Sequence, residues 1–583
     1  MSTGNRSVLV ILDSRQVAAR QTADLAVCAA LDHMGVAWQV LDAGDYWALP
    51  AAYVLERAAL VFAHDGAGAG LRPEPATWIR DAVLAGVGVL SFDRDTAAWP
   101  DALRGIAPDT AGGAEVRAVH FSTASHAITA SHRPGETVEL LAGTYAVRFV
   151  CGAGVTPVAS GTGDLPVLVR TQRGGGRCVF FAVGNTLYDE TVLGHTRGLD
   201  GLYWRALAWV ARKPFPMRCI PPFISARMDD CNGAHTAFAY VDCLNRRGIS
   251  PNLGLFLDEL GPTDWAAVSR LSRHGGADIS MHAFRDDLYK SSPAWKPYAV
   301  LADKPDLSKA GRETLFEGVG MDHATGRDLD EQTVRRNFAR VDAAFAKAGI
   351  RPSRVLNAHF GEIGLSSLPH YLERGVNLPC NNSVIGQLYG NQPVWRPRPY
   401  GLRAANGRYG VVIDRLPQHP AFLSIGFSAS HLGRTHMTSD VLSGNTPFMG
   451  EASQLRAAEA IQRGIANLRV GLDSLAFSVI MTHEQRIHSI ALEDWEKIVA
   501  AILDGIRDLD AVPASREHIS LICKRLFETR LSFAQADEGG LVCEITGSAE
   551  GPSPITIWED QGDQLVSRRA EVGPVNGFLR AAL

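Results

Sequence analysis

For most of its length the chain alternates short apolar runs with longer amphipathic stretches. Residues 8–12 (VLVIL), 38–41, 60–63 and 87–92 are apolar runs of strand length, separated by helix-length segments such as 16–34 and 74–85. Strand and helix in repetition predict a parallel α/β sheet. The rhythm then changes. Runs at 146–151, 165–171 and 178–183 follow closely, the last after the Gly174-Gly175-Gly176 turn, and a helix is expected near 202–210.

Pro214, Pro221 and Pro222 mark a boundary. Beyond it helices are expected at 237–247, 264–274, 329–347, 367–374, 454–471 and 492–508. Strands are expected at 252–257, 278–282, 355–358, 376–380 and 475–482. Helix 329–347 carries Val334, Phe338, Val341 and Phe345 at three- and four-residue spacing, one apolar face. This predicts a β/α barrel of fewer than eight clear repeats, interrupted by insertions at 286–328 and 385–450. From about residue 532 apolar and polar positions alternate, as in LVCEITG and PITIWED. Such alternation predicts a small accessory β-sheet, half of a sandwich completed by the barrel. The expected layout is an α/β domain over 1–215, a barrel over 216–511 and a β domain over 512–583.

Composition narrows the partners. At about 150 residues per domain, 583 residues suggest three or four domains. A net charge of -5 provides no basic field for nucleic acid or an anionic membrane. No apolar run reaches the length of a membrane span. The N-terminus, MSTGNRSVLVILDSRQ, meets Asp13 and Arg15 too soon for a secretory leader and reads as a first strand. Nine cysteines without a CxxC pair fit reduced thiols, so the expected compartment is the cytoplasm.

The candidate chemistry gathers at strand ends. FISARMDDCNG closes in Asp229 and Asp230, ADISMHAFRDD in His282, RVLNAHFGE in Asn357 and His359, and FSVIMTHEQ in His483 and Glu484. Parallel strands deliver their C-terminal ends to one mouth, so carboxylates and histidines there suggest a metal or acid–base site. The insertions carry Trp295, Tyr298, Tyr389, Trp395 and Tyr400. Aromatic faces suit sugar rings, and these loops are expected to select substrate rather than perform chemistry. Gly66, Gly68 and Gly70 in HDGAGAG lack GxGxxG spacing and read as a plain loop before a phosphate cradle.

The stretches HAITASHRPGE, PVLVRTQRGGGRCVFFAVGN and LYWRALAWVARKPF make residues 1–215 resemble a class I glutamine amidotransferase-like, flavodoxin-like domain. Such enzymes need a nucleophilic cysteine at a strand-to-helix elbow. HDGAGAG and SFDRD contain none, so the expectation is a domain without that activity, packed on the barrel or on a second copy in a homo-oligomer.

Residues 216–510 resemble the polysaccharide deacetylase superfamily, similar to carbohydrate esterase family 4, a distorted (β/α)7-type barrel that deacetylates N-acetylated sugars. The resemblance implies Asp229 as catalytic base and Asp230 as metal ligand. Its second motif implies His282 and Asp286 as further ligands, with Asp287 or His359 as alternatives to Asp286. Its third motif is kept in Phe360 and Gly361, while its base-tuning arginine and proline are replaced at Asn357-Ala358-His359. The fourth corresponds to Asn381-Asn382. The last, Ile480 to Glu484, implies His483 as general acid. The cofactor implied is a divalent metal, zinc first and cobalt, nickel or manganese after it. Asn357, His359, Phe360, Glu484, Trp295 and Trp395 are the substrate-binding candidates. The expected function is removal of an N-acetyl or O-acetyl group from a sugar or glycan. A glycoside hydrolase using Asp229 with Glu484 or Glu362, and an inactive carbohydrate-binding protein, are the alternatives.

Overall fold

The computed structural model describes residues 4–583 except 46–49, 122–125, 153, 190–191, 193–194, 196–197, 234–235, 286–317, 323–325, 381–385, 387–412, 416–418, 426–439, 443–456, 489 and 563. It is a mixed α/β structure. The first part is built on strands β1 (Val8–Leu12), β2 (Trp38–Asp42), β3 (Ala59–Phe62), β4 (Gly88–Ser91), β5 (Thr110–Phe121), β6 (Thr137–Phe149), β7 (Val155–Gly161), β8 (Pro166–Arg173) and β9 (Gly176–Phe181). They form one nine-stranded sheet in the order β2-β1-β3-β4-β9-β8-β7-β5-β6. The first five of that order are parallel, and from β9 onward neighbours are antiparallel. All residues of β1, β3 and β4 are buried, which is why they read as continuous apolar runs rather than alternations.

Sequence pattern does not announce β5. Its first half, TAGGAE, is exposed or partly so and presents no apolar period; register with β6 holds it in the sheet. The Gly66–Gly70 loop does cradle an anion, but an internal one. Gly66 and Gly68 N–H donate to the two oxygens of Asp93 at 2.9 and 2.8 Å, and Trp99 Nε1 donates at 2.9 Å. A Cβ at residue 68 would come 2.3 Å from Trp99 Nε1, so the close indole explains that glycine.

Helix α1 (Asp200–Val210) closes this part, burying ten of its eleven residues. It also ties to the second part at the end of α2 (Ala457–Asp473). Gly201 N–H donates to Asp473 Oδ2 at 3.0 Å, Trp204 Nε1 to the Asp473 carbonyl at 2.7 Å, and Ser474 Oγ to Asp200 Oδ2 at 2.9 Å.

In the second part, β10 (Phe223–Cys231), β11 (Asn252–Phe256), β12 (Asp278–Ala283), β13 (Val355–Leu356), β14 (Leu378–Pro379) and β15 (Ser478–His483) position the site. The order β12-β11-β10-β15 is parallel throughout, β13 pairs in parallel with β14, and Val512–Pro513 pairs with the start of β10. Among the described residues the ladders form an arc and a separate pair rather than an unbroken ring. Ser280 Oγ bridges arc and pair by donating to the Val355 carbonyl at 2.8 Å. Helix Glu331–Ala348 covers the outside through the expected Val334, Phe338, Val341 and Phe345. Asp330 caps it by accepting from Thr333 N–H, and Gly349 ends it at φ 64°.

The C-terminal part differs from expectation in two ways. It opens with a helix, Arg516–Glu528, whose Ile519, Ile522 and Cys523 pack in one cluster with Phe223, Phe477 and Val479. The following strands Thr529–Asp537, Gly540–Ala549, Ser553–Gln561, Gln564–Val572 and Val575–Ala582 then form two sheets sharing a core that includes Leu541, Ile545, Ile555 and Ile557. The edges are completed by Gly4–Asn5 and by Phe215–Met217, not by the parallel strands of the second part. Pairings over hundreds of residues have no local sequence signal.

Candidate metal centre

Asp229 and His483 are paired in register across β10 and β15, so two residues from opposite ends of this part stand side by side at one strand mouth. In a regular strand Asp229 and Asp230 would face opposite sides. The β10–β11 register shifts between Met228 and Cys231, and Asp230 lies at φ 57°, in the left-handed region. This bulge brings both carboxylates to the histidines. Aspartate tolerates the conformation better than most residues, at a cost on the order of 1–2 kcal/mol.

Asp230 Oδ1 lies 3.1 Å from His282 Nε2 and 3.4 Å from His359 Nε2. One donor atom from each of the three residues lies within 4.8 Å of the other two, and all three residues are buried. The His282 ring is oriented from behind, because its Nδ1 faces the Asn357 carbonyl at 2.7 Å. A carbonyl only accepts, so Nδ1 carries the proton and Nε2 can offer a lone pair to a cation. Gly254 makes room for this arrangement. A Cβ there would stand 2.8 Å from both His282 Nδ1 and Asn357 Nδ2. Burial alone would raise the Asp230 pKa, but His359, with His282 and His483, outweighs it and holds the carboxyl far below its usual range. One carboxylate and two imidazoles form a donor set suited to zinc or a similar divalent ion.

Asp229 is held differently. Arg227, two residues earlier on the same strand, grips it with Nε at 2.6 Å and NH2 at 2.8 Å. Asn357 Nδ2 adds a bond to Oδ1 at 3.0 Å and also meets Asn252 Oδ1 at 3.1 Å. Burial raises the Asp229 pKa, yet the Arg227 guanidinium, helped by His282 and His483, takes it well below the ordinary carboxylate range. The guanidinium that faces this carboxylate thus comes from β10 itself.

His483 has a partner that sequence reading missed. Asp440 is fully buried and sets Oδ2 2.6 Å from His483 Nδ1, while Arg486 Nε approaches the same oxygen at 3.1 Å. Thr482 Oγ1 and Leu442 N–H donate to Oδ1 at 2.8 and 2.9 Å. Asp440 also bridges in parallel to Met481, with Val441 N–H on the Met481 carbonyl. It belongs to the second insertion, so that insertion supplies a direct partner of His483. Arg486 and His483 outweigh the burial that would raise its pKa and keep Asp440 below the usual range.

His359 joins Asp230 and His282 in the donor group. Asn357 is wholly buried and supports Asp229 and His282 from behind. Glu484 is also wholly buried, and its Oε2 accepts from Asn232 and Gly233 N–H, tying the turn after β10 to helix α3 (Glu484–Ile487). Burial pushes its pKa up to about 8. Phe360 lies in the short His359–Gly361 turn. Its side chain, and all of Asp286, Asp287, Trp295, Asn381, Asn382 and Trp395, lie outside the described residues. No described helix is long and apolar enough to cross a membrane.

No family model and no curated protein matches the chain. Among solved structures it is similar to a protein of Mycobacterium smegmatis assigned as a polysaccharide deacetylase, at 14% identity and TM-score 0.30, covering 52% of this chain and 89% of that one. It is similar to the Bc1960 peptidoglycan N-acetylglucosamine deacetylase at 12% identity and TM-score 0.27, covering 51% and 88%. An exo-β-1,4-mannosidase from Opitutaceae bacterium strain TAV5 matches at 12% identity and TM-score 0.25, covering 36% of each chain.

Proposed function

We propose that this chain is a metal-dependent hydrolase that removes an acetyl group from the nitrogen, or an oxygen, of a sugar, with its chemistry carried by residues 216–511. The observation that carries the reading is the convergence of Asp230, His282 and His359 beside two separately held acid–base groups, Asp229 and His483. Asp230, His282 and His359 would hold a divalent cation, zinc foremost, which would supply Lewis acidity to a water and to the acyl carbonyl.

Asp229 accepts the proton of the attacking water. Arg227 and Asn357 hold it ionised and fix its direction, and the arginine also limits how basic it is. His483 delivers a proton to the departing nitrogen from Nε2, since Nδ1 is committed to Asp440. Asp440, by accepting from Nδ1, fixes the tautomer and direction of the ring so that Nε2 is the nitrogen free to face the leaving group.

A glycosidase pair drawn from Asp229 and Glu484 fits these surroundings less well. One carboxylate is locked to a guanidinium and the other accepts from two backbone amides. The test is to offer purified, zinc-loaded protein an N-acetylated glucosamine oligomer and to measure free acetate and new reducing ends together. Acetate release that stops with a chelator and returns with zinc is expected. New reducing ends without acetate would replace this reading by the glycosidase one.

A further inference from the structure

Resting on the reading of Asp230, His282 and His359 as a metal centre, we propose that Gln485 is a positioning residue of that centre, capping one oxygen of Asp230 so that the other alone is offered to the ion. Gln485 lies in the first turn of α3, directly after His483 and Glu484, and is buried. Its Nε2 is 2.8 Å from Asp230 Oδ2. The amide's orientation follows from chemistry: an ionised carboxylate has no proton to donate, so the NH₂ end must face it.

The two oxygens of Asp230 are therefore unlike. Oδ1 faces both imidazole nitrogens, while Oδ2 is spent on the amide donor. Asp230 stands on the bulge, outside the paired positions of the strand with either neighbour, so its carboxylate depends on a side-chain contact to fix its rotation. Gln485 supplies that fixing contact, and with Oδ2 engaged the carboxylate meets a cation through one oxygen. The segment 483–485 then performs three tasks in sequence: proton delivery at His483, a clamp on the Asn232 turn at Glu484, and a clamp on the ligand at Gln485.

The experiment is titration of metal-free full-length protein with Co²⁺, followed by calorimetry and by visible absorption. Gln485→Met keeps the length of the side chain and removes the donor. It should bind Co²⁺ about 10–100-fold more weakly, the usual cost of losing a group that orients a metal ligand, with altered absorption bands as Asp230 becomes free to engage both oxygens. Gln485→Glu keeps the shape and replaces the donor by an oxygen, so it provides a second route to the same spectral change should the methionine variant not fold. Affinity within about twofold of wild type together with an unchanged spectrum, in either folded variant, overturns the role of Gln485. Failure of the wild-type protein itself to take up Co²⁺ overturns instead the metal-centre reading beneath it.

Discussion

Asp230→Asn is expected to lose bound metal and activity together, with kcat/KM down on the order of 10³-fold or more, since the cation's contribution is several kcal/mol at about 1.4 kcal/mol per decade. The neutral amide removes the negative charge that His282 and His359 surround, and it can turn its NH₂ toward the ion. Asp229→Asn should behave otherwise. It leaves the three donors in place and removes the proton acceptor, so metal content should hold while the rate falls about 10²–10⁴-fold. Metal analysis of both purified variants beside their rates checks the pair. Equal loss of metal in both would mean that the two adjacent aspartates do not have distinct roles.

The second large effect is expected at the acid. His483→Ala should retain metal and lose about 10²–10⁴-fold on an acetamido sugar, with a much smaller loss on an activated aryl acetate, whose leaving group departs without a proton. Asp440→Asn should follow the same pattern, because the carboxylate that accepts from His483 Nδ1 and holds Nε2 toward the departing nitrogen is lost. Equal losses on ester and amide would instead point to a disturbed fold around β15.

Much of this centre was readable because parallel strands turn sequence order into spatial order. Asp229, Asp230, His282 and His483 each end an apolar run, and such runs end at one mouth. The bulge that turns Asp230 was not readable, since a left-handed aspartate leaves no periodic trace. Arg227 carries no sequence signal of its pairing, since only the folded chain sets its guanidinium against Asp229. Gly254 was a legible signal left unused: a glycine inside a strand often marks close approach by another group, here His282 and Asn357. Asp440 reaches His483 from 43 residues away through a non-periodic insertion, and no local rule links them. In the fold, the same limit hid β5 and the pairing of Gly4–Asn5 with Gln535 and Ala536, because long-range register is set by tertiary partners.

The central claim is that His359, with Asp230 and His282, holds the ion. It is tested most directly by an anomalous difference map at the zinc edge from crystals of the full chain grown with zinc. A single strong peak about 2.0–2.2 Å from Asp230 Oδ1 and from Nε2 of His282 and His359 is the expected result. A zinc ion bound without His359, or crystals with no anomalous peak at these three side chains, would contradict it.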